Sequence, residues 1–237
     1  MQFPVVVPAA GEGTRLRPLT AEQPKGLVEV DGDPLLTHCF EALPRDVVSR
    51  FVVVTGYMGV AIRRYYGDEY DGVPIVYTEQ AEPIGLADAI LTAEPHVDGP
   101  FLVCNGDNVV RGNLDELIRT HARTDAAATL LVEEVSVETA TTRGVCVLDG
   151  DGNLTGYVEK PDDPPSTRAS AGVFALDEVV FDACRVITPS DRGEYELTDA
   201  IDLLLYAGHR VGQLLLDGER VNVNTVEDID AAADVLR

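Results

Sequence analysis

The stretch "FPVVVPAAGEGTRLRPLT" constrains this chain more than any other. Residues 3–8 are a short, valine-rich apolar run, which reads as a strand buried on both faces. The small residues and glycines that follow let the backbone turn at once and bring its N–H groups close to an anion. The same alternation then recurs. Strands are predicted at 50–56, 73–79 and 100–107, and helices at 58–66, 85–94 and 113–123. Asp33 and Pro34 offer an N-cap and a first-turn residue for a further helix through about Leu43. Strands separated by helices imply right-handed crossovers and a mainly parallel central sheet flanked by helices, an α/β fold. Ligands of such sheets gather beyond the strands' carboxyl ends, so the loops after Pro8, Glu79 and Asn105 should converge.

The second half changes rhythm. A strand is predicted at 128–135, and "GVCVLDGDGNLTGYVEKP" (144–161) reads as two strands around a DGDGN turn. A strand at 170–176, helices near 177–185 and 198–207, two short strands at 210–217 and 219–225, and a helix from about 226 complete the chain. With no long linker, internal repeat or low-complexity segment, residues 1–237 read as one domain with a β-rich second lobe.

Charge narrows the partners. Forty-one acids against eighteen bases give a formal charge of −23, spread along the chain. A uniformly acidic skin fits adaptation to high salt, where repulsion is screened and high charge keeps a protein soluble. It argues against binding to nucleic acid or an anionic membrane. No apolar run is long enough to span a bilayer. The N-terminal residues lack the basic region and apolar core of a signal peptide, so a cytoplasmic location is expected. Cys39, Cys104, Cys146 and Cys184 are widely spaced and read as buried, reduced thiols. The four histidines lack ligand spacing.

Only two lysines, Lys25 and Lys160, stand among the eighteen bases. Lys25 follows the glycine-rich loop, and Arg15 and Arg17 lie within it as charge-assisted donors. Gly11 and Gly13 alone would be an ordinary turn. The full string "AAGEGTRLRPLTAEQPKG" is more specific. It resembles the signature of the sugar-1-phosphate nucleotidyltransferases, which include glucose-1-phosphate thymidylyltransferases and UTP–glucose-1-phosphate uridylyltransferases. The resemblance continues in order through "QAEPIGLADAI" (80–90), "NGDN" (105–108), "GVCVLDGDGNLTGYVEKP", "SAGVF" (170–174) and "GEYELTDAI" (193–201). It implies a Rossmann-like nucleotide-binding fold and a reaction that joins an NTP to a sugar 1-phosphate with release of pyrophosphate. The β-rich lobe would then bind the sugar.

By this resemblance, Ala10, Gly11, Gly13 and Thr14 wrap the triphosphate through their backbone, and Arg15 contacts the phosphates. Lys25 sits at the reacting α-phosphate, where two anionic partners meet and fixed cations are the main requirement. Gln80 and Gly85 read the base, uracil or thymine, through the N3–H and O4 edge. Asp107 binds Mg2+, the implied cofactor. Its usual second ligand, the aspartate of a "DIGT" or "DVGT" ending, is replaced in "VNVNT" by Asn222, with Asp228 as a local substitute. Gly144, Glu159, Lys160 and Gly172 line the sugar pocket, Glu159 holding hydroxyls and Lys160 the sugar phosphate. Tyr195 and Glu196 read as packing residues near a helix start.

The substrates implied by the resemblance are dTTP or UTP and a hexose 1-phosphate, glucose 1-phosphate foremost, and family precedent implies a homo-oligomer. No hexapeptide-repeat tail is present, so a bifunctional acetyltransferase–uridylyltransferase is not expected. Two other readings stay open. One is a nucleotidyltransferase of the same fold acting on a molybdopterin or amino-alcohol phosphate, which "NVNTVEDI" resembles. The other is a regulatory protein that holds a sugar nucleotide without turnover, motivated by Asn222 alone.

Overall fold

In the computed structural model, which describes residues 2–237, ten strands form one sheet. Phe3–Ala9 lies at its centre, parallel to Val48–Thr55 on one side and to Phe101–Cys104 on the other. Val73–Glu79 extends it, parallel to Val48–Thr55. The prolines of the first strand lie outside its ladder to Phe101–Cys104, which joins only Val5 to Leu102 and Val6 to Val103. Pro4 and Pro8 have no N–H to give, so they suit the ends of that ladder. Alternate residues face opposite layers. Val6, Val52 and Val54 pack toward Ile90 of the Leu86–Ala93 helix. Val5, Val7 and Val53 pack toward Leu36, Cys39 and Phe40 of the Leu35–Glu41 helix.

The β-rich half extends the same sheet. Arg168–Leu176 is the junction, antiparallel to Phe101–Cys104, to Ala128–Glu134 and, at Ala169, to the Gly144–Leu148 strand. Gly144–Leu148 and Leu154–Glu159 form the expected hairpin. The junction strand shifts register between Ser170 and Phe174, and Gly172 in that gap has φ +73°. There the bulge breaks the ladder beside the site.

Three local expectations change. Asp33 does not cap a helix: Asp33–Pro34 pairs with Glu29–Val30 as a two-residue hairpin, and the helix begins at Leu35. The fourth strand stops at Cys104, so Asp107 lies in a turn and not at a strand end. Asn108–Gly112 then forms a strand of its own, antiparallel to Gly218–Asn222. The Val226–Leu236 helix packs against this pair and against Leu16, which anchors the first loop. One apolar cluster thus fixes the glycine-rich loop relative to the chain's last strand.

Candidate active site

Two adjoining cavities lie beyond the carboxyl ends of the central strands. The first, about 270 Å³, is lined by Gly11, Gly13, Thr14, Arg15, Lys25 and Asp107, with Pro8, Gly106 and Asn224. Gly13 turns the loop with φ +63°, and the Thr20 hydroxyl donates to its carbonyl at 2.7 Å. Ala10 is buried behind this wall, where its carbonyl accepts from the Tyr57 N–H. The Gly106 N–H donates to the Pro8 carbonyl at 3.1 Å, which holds the Asp107 turn against the first strand. Arg17 turns outward, exposed, 3.7 Å from Glu12.

Lys25 is the hub of this cavity. Its Nζ donates to Asp107 Oδ2 and to Asn224 Oδ1, both at 3.0 Å, and its side chain is 13% exposed. An ammonium has three donors, so one is left for a substrate. Arg15 Nη2 donates to the same Asn224 oxygen at 3.1 Å. Asn224 was not singled out by the sequence motif, yet it joins both cations. Its Nδ2 donates to Asn222 Oδ1 at 2.6 Å.

The second cavity, about 220 Å³, contains all four residues assigned to the sugar (Gly144, Glu159, Lys160 and Gly172) together with Asn222. Lys160 Nζ lies 3.3 Å from Glu159 Oε1. Lys160 holds φ +44°, a left-handed conformation uncommon for a residue with a side chain, with its N–H bonded to the Arg143 carbonyl. Burial pushes the Glu159 carboxyl up from its ordinary value; Lys160 opposes the shift and Glu196 adds to it. A Cβ on Gly172 would lie 2.0 Å from Asn108 Nδ2, and one on Gly144 2.7 Å from the Tyr157 hydroxyl. Both positions need glycine for space. Asn105 Oδ1 and Thr198 Oγ1 belong to residues lining this cavity, and both are buried without a hydrogen-bond partner among the described residues.

Gln80 and Gly85 form a third unit. Gln80 is buried, and its Nε2 donates to Asp88 Oδ2 at 2.7 Å and to the Gly85 carbonyl at 3.1 Å. A carboxylate only accepts, so Asp88 fixes which way the amide faces. Both amide hydrogens are engaged, which leaves the carbonyl oxygen for a ligand and not the two-point edge expected from sequence. Gly85, at φ +129°, lies flat against the Tyr195 backbone. Tyr195 therefore does position the site, through its main chain. Glu196 is buried and receives Arg192 Nη2 at 2.7 Å.

The metal donors are sparse. Among the described residues no group of three or more His, Cys, Asp and Glu side chains is placed to hold an ion. Asp228, the local substitute suggested by sequence, closes a capping box with Thr225, its Oδ2 accepting from the N–H groups of Asn224 and Thr225. Asp107 and Asn222 offer hard oxygen donors, and the Val223 N–H donates to the Asp107 carbonyl, which ties their segments together. This set fits magnesium, which takes one or two carboxylates and fills its shell with phosphate oxygens and water. All four cysteines are free and buried. The adjacent Cys104 thiol and burial push the Cys39 thiol well up, so it is not an activated nucleophile.

A glycine-rich loop, a lysine and an aspartate at one end of a parallel sheet define a phosphate-handling enzyme of nucleotidyl transferase type. The sequence profile of the nucleotidyl transferase family matches residues 5–234, and the chain belongs to this family. It is 45% identical to a UTP–glucose-1-phosphate uridylyltransferase of Haloferax volcanii, over 98% of this chain and 96% of that protein. It is 36% identical to a glucose-1-phosphate thymidylyltransferase of Streptomyces antibioticus, over 94% of this chain and 63% of the relative's length. Its fold matches a UDP-glucose pyrophosphorylase solved with UDP-glucose, at a TM-score of 0.86 and 24% identity, covering 100% of this chain and 98% of that one.

Proposed function

We propose that the protein joins UTP or dTTP to a hexose 1-phosphate, glucose 1-phosphate foremost, forming a nucleotide sugar and pyrophosphate. The observation that carries this reading is the pairing of two cavities across one short segment. Asn224 lines the cationic cavity and Asn222 the other, where two buried oxygens lack partners that sugar hydroxyls would supply. In the reaction, a phosphate oxygen of the sugar 1-phosphate attacks the α-phosphorus of the nucleotide. The bond to the bridging oxygen breaks, and that oxygen leaves with pyrophosphate. A phosphate ionised at neutral pH already carries the attacking lone pair. Positioning and charge compensation therefore suffice, and no covalent enzyme intermediate is required. The loop N–H groups and Arg15 hold the triphosphate, Lys25 offsets charge at the α-phosphate, and Glu159 and Lys160 hold the sugar phosphate. Asp107 and Asn222 would hold magnesium, which supplies further charge neutralisation at the phosphates.

Gln80, fixed by Asp88, suits a base that donates from N3. Asp88→Asn replaces an acceptor-only carboxylate with an amide that can also donate, so the Gln80 amide is free to flip. The change is expected to lower the preference for UTP over CTP about tenfold, the worth of one misdirected hydrogen bond. Ratios of kcat/KM for the two nucleotides check this, and an unchanged ratio would remove Gln80 from base reading. A panel crossing five nucleoside triphosphates with several sugar 1-phosphates, in molar KCl with magnesium, tests the function itself. The expected result is turnover confined to UTP or dTTP with a hexose 1-phosphate. Turnover only with a non-sugar phosphate would instead favour the molybdopterin-like reading.

A further inference from the structure

The charge on the wall of the second cavity is not evenly paired. Lys160 has Glu159 at 3.3 Å, and Arg192, beside that wall, has Glu196 at 2.7 Å. Arg143 and Arg220 both line the cavity, and they share a single carboxylate oxygen, Glu133 Oε1. Glu194, also on the wall, is in no ion pair among the described residues.

Arg220 is the more unusual of the two arginines. Its side chain is only 3% exposed. Nη1 reaches Glu133 at 3.1 Å, while Nε and Nη2 both donate to Asn108 Oδ1, at 3.2 and 2.9 Å. A guanidinium has five N–H groups, so each terminal nitrogen retains one hydrogen without a partner among the described residues. Burying a cation with incomplete compensation is costly, and an incoming anion would complete both charge and hydrogen bonding. Asn108 is itself anchored by the Ala171 carbonyl, and Arg143 is bonded through its own carbonyl to Lys160. The pair is therefore fixed in place beside Lys160 before any ligand arrives. In the Gly218–Asn222 strand, Arg220 stands two residues before Asn222 and so on the same face. The chain just beyond this strand is tied to the Asp107 turn, the Val223 N–H donating to the Asp107 carbonyl at 2.9 Å.

We infer that Arg220, steadied by Asn108 and Glu133 and partnered by Arg143, binds the phosphate group of the incoming sugar 1-phosphate, on the side facing Asp107. This rests on the functional reading above and adds to it a binding residue that the motif comparison did not select. A C6 carboxylate on an acidic sugar is the other anion that such a pair could take. The position of Arg220 on the Asn222 face, toward Asp107, favours the phosphate.

Steady-state kinetics of the full chain in molar KCl, with Arg220→Met, Arg220→Lys and Arg143→Met, test the assignment. Arg220→Met is expected to raise KM for glucose 1-phosphate about ten- to a hundredfold, with KM for UTP within about twofold. Arg220→Lys should recover part of that loss, because it keeps the charge without the fork. Arg143→Met carries the same test if Arg220→Met does not fold, with a smaller rise for the same substrate. A merely structural Arg220 would move both KM values and the unfolding midpoint together, with Lys no better than Met, and that result overturns the assignment. A rise confined to glucuronic acid 1-phosphate also overturns it, by placing a sugar carboxylate on the pair. An unchanged KM for glucose 1-phosphate in every folded variant overturns it while leaving the functional reading intact. Absence of wild-type turnover on any sugar 1-phosphate refutes both together.

Discussion

Replacing Lys25 by alanine is expected to lower kcat at least about a thousandfold while the protein stays folded. The size follows from what Nζ does. It is a partly buried ammonium bonded to Asp107 and Asn224, with one donor left and no second lysine near the first cavity. The α-phosphorus becomes most crowded with charge in the transition state, so the loss should fall on kcat more than on KM. Stability should change by less than about 1 kcal/mol, because Asp107 stays one-third exposed and can be solvated. Lys25→Arg should rescue little. The lysine stem is already tight, since a Cβ on Gly13 would lie 3.0 Å from Lys25 Cβ, and a planar fork cannot replace a compact point charge there. Single-turnover kinetics with saturating substrates check this. A folded Lys25→Ala protein with near-normal turnover would remove lysine from the chemistry.

Gly85→Ala is expected to lower stability by at least about 3 kcal/mol. Two costs coincide. The backbone at φ +129° and ψ 169° is open essentially to glycine alone. The added Cβ would also lie 2.3 Å from the Tyr195 carbonyl oxygen, a main-chain atom that cannot rotate away. That contact is held from both sides, by Tyr195 N–H to the Ile84 carbonyl at 2.7 Å and by Ala87 N–H to the Tyr195 carbonyl at 3.0 Å. Relieving the clash would separate the base-side loop from the "GEYEL" segment. Denaturant unfolding in molar KCl measures the change. A loss below about 1 kcal/mol would mean that the two segments are not locked together.

What the sequence disclosed, and what it hid, divides along physical lines. The alternation of valine-rich runs with helical spacing placed the first three parallel strands within a residue or two, because local burial determines both, whereas the fourth, expected through residue 107, stops at Cys104. The strand Asn108–Gly112 escaped because its pairing partner lies more than a hundred residues away, and "NVVRG" alone reads as the tail of the preceding strand. Asp33 was missed for a local reason: its side chain suits an N-cap, but pairing with the adjacent Glu29–Val30 segment draws it into a hairpin instead. In the site, motif positions led to Asn222 and passed over Asn224 and Arg220. Yet 220, 222 and 224 are spaced by two, the signature of one face of an extended segment. That spacing was visible in "RVNVN". Glu133 and Arg143 could not be found this way, since a shared carboxylate across separate strands leaves no mark in local sequence.

Lys25 and Lys160, the only lysines in the chain, lie in different cavities of one site. Elsewhere, arginine carries the positive charge of an acidic surface. Under the proposed function, these two positions place a point charge against phosphate. Phosphorus NMR of the wild-type protein with UTP, glucose 1-phosphate and magnesium in molar KCl tests the proposed reaction directly. Equal amounts of UDP-glucose and pyrophosphate are expected, formed as both substrates disappear. Release of orthophosphate without a nucleotide sugar, or persistence of both substrates in a folded protein across the uridine and thymidine nucleotides, would contradict it.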